Sequence, residues 1–134
     1  MFVSGKVPAL IITSAAGAKR LREQGTPGSV GIRAVRRRAG AIAASAILDE
    51  VCRVSPGRLI FVEAGPRLLG DFYAEGLLDE QFLTLAPQIA GRDAGDGRLS
   101  LVMGKAFAPR DPLWGKLIDL RRGGNHLFLR YSFP

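Results

Sequence analysis

Residues 59–87, LIFVEAGPRLLGDFYAEGLLDEQFLTLAP, constrain the fold of this chain more than any other stretch. Leu59, Ile60, Phe61 and Val62 form an unbroken apolar run, the pattern of a strand buried on both faces. Glu63 then puts a carboxylate at the strand's carboxyl end, and Ala64-Gly65-Pro66 makes a tight exit. Gly65 permits close backbone approach, and Pro66 suits the first turn of a helix. The spacing of Leu68, Leu69, Phe72 and Tyr73 predicts a helix over residues 66–75, stopped by Gly76. A strand over residues 81–86 follows. Open α/β sheets place their ligands at such strand-to-helix turns, and free N–H groups at a helix start can hold a phosphate. The same unit also occurs where it binds nothing.

The rest of the chain extends the alternation. Residues 8–13 (PALIIT) read as a short buried strand, and Ser14 as the N-cap of a helix over residues 15–24, closed by Gly25. Residues 30–35 read as a short edge-like strand. The next helix is expected over residues 39–53, with Ile42, Ala46, Ile47 and Val51 on one face, ended by Ser55-Pro56-Gly57. Strand and helix therefore alternate as far as Pro87, which predicts a mainly parallel sheet. Beyond it, residues 91–97 (GRDAGDG) read as a mobile surface loop and residues 99–103 as a possible short strand. Residues 114–120 and 126–133 flank Gly123-Gly124-Asn125, an antiparallel hairpin signature. Leu127, Leu129, Tyr131 and Phe133 share one face of it by period two.

Size and composition narrow the classes. A chain of 134 residues with 47% hydrophobic and 23% charged content is expected to form one domain with a real core. No apolar stretch approaches the roughly 18 residues of a membrane span, and Pro8 breaks the apolar run near the start, so neither a membrane segment nor a signal peptide is expected. The single cysteine, Cys52, has no disulfide partner within these residues and suits a reducing cytoplasm. A net charge of +7 first suggests nucleic acid. However, Arg33, Arg36, Arg37 and Arg38 form the only dense basic cluster, with no interleaved aromatic residue and no nucleic-acid motif. A basic surface also suits an enzyme with phosphorylated ligands, and no nucleic-acid partner is expected. Cys52 and Trp114 read as core, and His126 as surface. No spacing of His, Cys and carboxylates points to a metal.

Residues 62–87, VEAGPRLLGDFYAEGLLDEQFLTLAP, resemble the reductase domain of the riboflavin-biosynthesis deaminase–reductase family, whose fold is similar to that of dihydrofolate reductase. The ending HLFLRYSF resembles the stand-alone pyrimidine reductases of the same superfamily. The resemblance implies an α/β fold, with a mainly parallel sheet, flanking helices and a C-terminal antiparallel hairpin. It implies that residues 1–134 are one domain, the C-terminal part of such a reductase domain, lacking the family's N-terminal half. It further implies NADPH-dependent reduction of a 5-amino-6-(5-phosphoribosylamino)uracil-type pyrimidine, by a cytoplasmic homodimer. Hydride would go to the carbon of the opened ribose, leaving a ribitylamino group. The alternatives are a dihydrofolate or pterin reductase, or an inactive nucleotide-binding remnant. Hydride transfer asks for no protein nucleophile, so the absence of a catalytic triad is compatible with a reductase.

Two turns are candidate sites. From position alone, Thr13 and Ser14 are either phosphate donors at a helix start or a plain cap. The resemblance implies that they hold the 2′-phosphate of NADPH, with Lys19 and Arg20 one turn on. It also implies that Ala64, Gly65, Pro66, Arg67 and Leu68 border the cofactor's pyrophosphate and nicotinamide end, and that Glu63 lies beside the substrate. Family members often carry a Gly-Gly pair, sometimes joined by a cis peptide, where this chain has Ala64-Gly65. A non-proline cis bond costs about 2.5–4 kcal/mol.

Overall fold

The apolar run near the start folds into β1 (Ala9–Thr13), and Ser14 turns the chain into α1 (Ala15–Glu23). These elements come from a computed structural model that describes residues 6–57, 59–91, 93, 95, 97 and 99–134. The chain divides into two units, Met1–Val62 and Glu63–Pro134.

In the first unit the Ser14 hydroxyl oxygen accepts the Gly17 N–H at 3.2 Å and caps α1. Such a cap is worth about 1 kcal/mol. Arg20 and Arg22 lie in the last turn, where cations complement the helix dipole. Gly25, at φ +76°, ends the helix in the left-handed region. The chain then returns as β2 (Val30–Ala34), which pairs in parallel with β1 from Ala9↔Val30 to Thr13↔Ala34. A helical crossover between parallel strands is the geometry this pairing requires. Among the described residues of this unit the buried hydrophobic ones are Ala18 and Ala44, both small. The next helix, α2 (Ala44–Val54), starts later than the expected residue 39. Arg38 and Ala41 exchange both backbone hydrogen bonds, at 2.7 and 3.0 Å, and close a turn through Ala39 and Gly40. That turn occupies the residues assigned to the first helical turn. Cys52 is exposed on α2 and is not a core residue, because Ile47, Leu48 and Val51 form the better-covered face.

The second unit begins with α3 (Pro66–Ala74), which has Pro66 at its first position and Gly76, at φ +63°, just beyond its end. The strand β3 (Glu80–Leu85) follows, then β4 (Lys116–Gly123) and β5 (His126–Ser132), in the order β3-β5-β4, all antiparallel. Gly124, at φ +57°, opens the two-residue turn between β4 and β5, as the hairpin signature required. The register sets Leu83, Leu129 and Leu120 side by side on one face, with Gln81, Tyr131 and Leu117 next to them. α3 covers the latter end. Tyr73 is buried there, donates its hydroxyl to Gln81 Oε1 at 2.5 Å and meets the Phe133 ring edge-on at 5.4 Å. Burial pushes the Tyr73 phenol above its ordinary pKa. On the opposite face Arg130 makes two hydrogen bonds of 2.7 Å to Glu80 and lies 5.4 Å over the Phe82 ring.

A mainly parallel sheet is therefore not found: among the described residues one two-stranded sheet is parallel and one three-stranded sheet is antiparallel. The difference lies in the segment expected to be the central strand. Residues 59–62 take no strand conformation, and Leu59 and Phe61 are 73% and 75% exposed. A continuous apolar run becomes a buried strand only if neighbours pair with both its edges, and no strand pairs with it among the described residues. Residues 99–103 are also not a strand; Met103 instead donates its N–H to the Pro66 carbonyl at 3.0 Å. Trp114 is 80% exposed, preceding β4 rather than filling the core. Of the expected loop at residues 91–97, Arg92, Ala94 and Asp96 lie outside the described residues.

Candidate functional site

At the carboxyl end of β1 the two hydroxyl residues take different parts. Ser14 Oγ accepts the Gly17 N–H, which leaves its own proton free to donate. Thr13 is fixed by its backbone, because its carbonyl accepts the Val35 N–H at 2.8 Å and extends the parallel ladder. The side chain of Thr13 lies directly beside Gly17, where a β-carbon would come within 2.2 Å of Thr13 Oγ1. Both residues are half-buried, and the next two, Ala15 and Ala16, are exposed. The first amides of α1 have no helical acceptor apart from the one Ser14 satisfies. The turn thus offers hydroxyl and amide donors and no carboxylate, a donor set that suits a phosphate. Of the two expected cationic neighbours, Lys19 is drawn to Glu23 at 3.8 Å, an exposed pair of little energetic weight.

The second turn opens α3. Glu63 is exposed and makes no hydrogen bond or ion pair with another described residue. Ala64 is half-buried, and the Ala64–Gly65 peptide is trans, since the cis peptide of the described residues is Ala108–Pro109. Gly65 is the N-cap, at φ −66° and ψ 160°, and a β-carbon built on it would meet nothing within 4 Å. It has no side chain to cap the helix, and Pro66 has no N–H. The amides of Arg67 and Leu68 are therefore left without a helical acceptor. Arg67 is exposed, and among the described residues its guanidinium has no ion pair, while Leu68 is half-buried. Partial positive charge at the helix start and a full charge on Arg67 act in the same direction. Among the described residues no cluster of His, Cys, Asp and Glu is placed to hold a metal ion.

Four residues of this region escaped the sequence reading. Gly70 is buried within α3, Asp71 pairs with Lys105 at 3.1 Å, and Met103 binds the Pro66 carbonyl. The available signal was Gly70 itself, since a glycine inside a helix disfavours it and marks close packing.

Comparison with known proteins bears on the family and the fold. The family model of the RibD C-terminal domain matches residues 1–107. Form 1 of RibD from Acinetobacter baumannii is 21% identical, with a TM-score of 0.62 over 95% of this chain and 37% of that one. Form 2 of the same protein gives a TM-score of 0.63 at 21% identity, over 95% and 38%. A pyrimidine reductase-like protein from Corynebacterium diphtheriae is 20% identical, with a TM-score of 0.61 over 93% of this chain and 50% of that one. The chain thus spans between 37% and 50% of the length of these solved structures. No curated protein matches.

Proposed function

This chain belongs to the RibD C-terminal domain family, and from that premise we propose that it is the cofactor-side part of an NADPH-dependent pyrimidine reductase domain. The observation that carries the proposal is the first turn of α3. The Arg67 and Leu68 amides, which have no helical acceptor, an Arg67 guanidinium with no ion pair among the described residues and an open Gly65 lie together at one helix start, a donor set that fits a pyrophosphate. Ala64, Gly65, Pro66, Arg67 and Leu68 are assigned the pyrophosphate and nicotinamide end of the cofactor. Thr13 and Ser14 are assigned the 2′-phosphate, with the free proton of Ser14 as donor.

The bound cofactor would supply the hydride; the chain supplies binding and orientation. Arg67 offers a bidentate cation to phosphate oxygens, and the Arg67 and Leu68 amides offer directed donors. Glu63, exposed and with no partner among the described residues, is available to accept hydrogen bonds from the N–H groups of a uracil-type ring. The substrate proposed is 5-amino-6-(5-phosphoribosylamino)uracil or a close relative, whose opened ribose would receive the hydride. A homodimer is part of the same proposal, supported by Leu85, Leu120 and Leu127, which are 54%, 53% and 37% exposed on β3, β4 and β5. So is a cytoplasmic location. In its support, the lone Cys52 is exposed, and among the described residues no helix is long and apolar enough to cross a membrane.

The test is an assay of the chain for pyrimidine-dependent NADPH oxidation, beside calorimetry with NADPH alone. Binding of NADPH, with its oxidation as the ribosylaminopyrimidine is reduced, is the expected result for a complete reductase domain. Binding without turnover would leave the nucleotide-binding part of the proposal and remove the enzymatic part for these residues. No binding would remove both.

A further inference from the structure

The segment from Val102 to Lys105 is fastened to α3 at three points. The Met103 N–H donates to the Pro66 carbonyl at 3.0 Å. Gly70 is buried, and a β-carbon built on it would lie 3.0 Å from Val102 Cγ1 and 3.1 Å from the Met103 carbonyl oxygen. Lys105 Nζ meets Asp71 at 3.1 Å. A fourth feature adjoins them: Gly104, at φ +78°, would carry a β-carbon 4.0 Å from the Arg67 guanidinium.

These contacts run from the first residue of the helix to its middle. Gly65 is an open residue with no neighbour within 4 Å of its built β-carbon, so its own surroundings do little to hold the turn. The Pro66 carbonyl, one residue on, is held from outside the helix by Met103. Gly70 lowers helix propensity where it stands, and the space it leaves is filled by the segment. We propose that Val102 to Lys105 is the positioning element of the Gly65–Arg67 turn, with Gly70 as its seat and the Lys105–Asp71 pair as its tether. It acts through Pro66 and Arg67, which it holds in place before an anionic ligand arrives, so that less ordering is left to be done on binding. The proposal rests on the reading that the pyrophosphate of NADPH meets this turn.

The test compares two ligands on wild type, Gly70→Ala, Lys105→Met and Lys105→Arg. NADPH carries a pyrophosphate; adenosine 2′-monophosphate carries the 2′-phosphate without it. NADPH is expected to bind about tenfold more weakly to Gly70→Ala and about threefold more weakly to Lys105→Met, with Lys105→Arg at the wild-type value. Adenosine 2′-monophosphate is expected to bind all four alike. Equal loss for both ligands would mean general destabilisation, and unchanged NADPH affinity would mean no positioning; either overturns the proposal. If wild type binds no NADPH, the cofactor reading falls, and hydrogen exchange then decides the positioning role without a ligand. Exchange at Met103 and at Leu69, whose N–H bonds the Gly65 carbonyl at 3.0 Å, is expected to quicken in Gly70→Ala and Lys105→Met. Unchanged exchange at Leu69 in both variants would overturn the proposal.

Discussion

Gly17 stands so close to Thr13 that a β-carbon on it would lie 2.2 Å from the Thr13 hydroxyl oxygen. The same glycine donates its N–H to the Ser14 hydroxyl at 3.2 Å. One residue therefore sets both hydroxyls assigned to the 2′-phosphate. Gly17→Ala improves helix propensity, yet it is expected to destabilise the chain by about 1–3 kcal/mol, because Thr13 is short and cannot swing clear without leaving its rotamer. Urea unfolding measures this. A neutral or stabilised variant would show that the Thr13 side chain yields at no cost.

Ala39 has φ +46°, in the left-handed region, where a non-glycine residue costs roughly 1–2 kcal/mol. The turn holds because Arg37 grips the Gly40 carbonyl with two guanidinium nitrogens and Arg38 pairs with Ala41. Replacing Ala39 by Gly is expected to stabilise the chain by about 0.5–1 kcal/mol, after allowing for the greater freedom of glycine in the unfolded state. A loss of stability on denaturant titration would contradict the strained conformation.

The Arg130 guanidinium, through its hydrogen bonds, holds the Glu80 carboxyl below its ordinary pKa, and Glu80 raises that of Arg130. A carboxylate with a lowered folded-state pKa contributes stability above its unfolded value, and that contribution is lost as pH falls through the folded value. Arg130 stays charged throughout, so only Glu80 titrates. Glu80→Gln should therefore lower the melting temperature at neutral pH. Its difference from wild type should shrink from about pH 4.3 downward. A difference that persists unchanged in acid would mean that the pair contributes through shape and not through charge.

What the sequence made legible depended on local chemistry. Ser14, Gly25, Pro66, Gly76 and Gly124 act within a few residues of themselves, and the two helices and the hairpin they delimit stand where expected. Residues 59–62 were misread for a physical reason: an apolar run records a demand for burial, not the presence of the strands that would meet it. The start of α2 was misread because Ala is a helix former, and nothing local warns that Ala39 adopts a positive φ. At the candidate site, Gly65 and Pro66 stand out by residue type, and Glu63, Ala64, Arg67 and Leu68 enter only through the family resemblance. Their support from Met103 and Lys105 was not visible, since those contacts join residues more than thirty positions apart, about a separation at which periodicity is silent.

The central claim is that the turn opening α3 receives the cofactor, and Gly65→Val tests it most directly. Gly65 sits at φ −66° and ψ 160°, a conformation open to any residue, and a β-carbon there meets nothing within 4 Å. A β-branched residue is a poorer N-cap than glycine, so the variant should still fold with a loss of about 1 kcal/mol, small enough to separate folding from binding. Calorimetric titration with NADPH and NADH, on wild type and variant, is the measurement. The account predicts that wild type binds NADPH more tightly than NADH, and that folded Gly65→Val loses NADPH. A folded variant that binds NADPH at wild-type affinity, or a wild type that binds neither nucleotide, would contradict it.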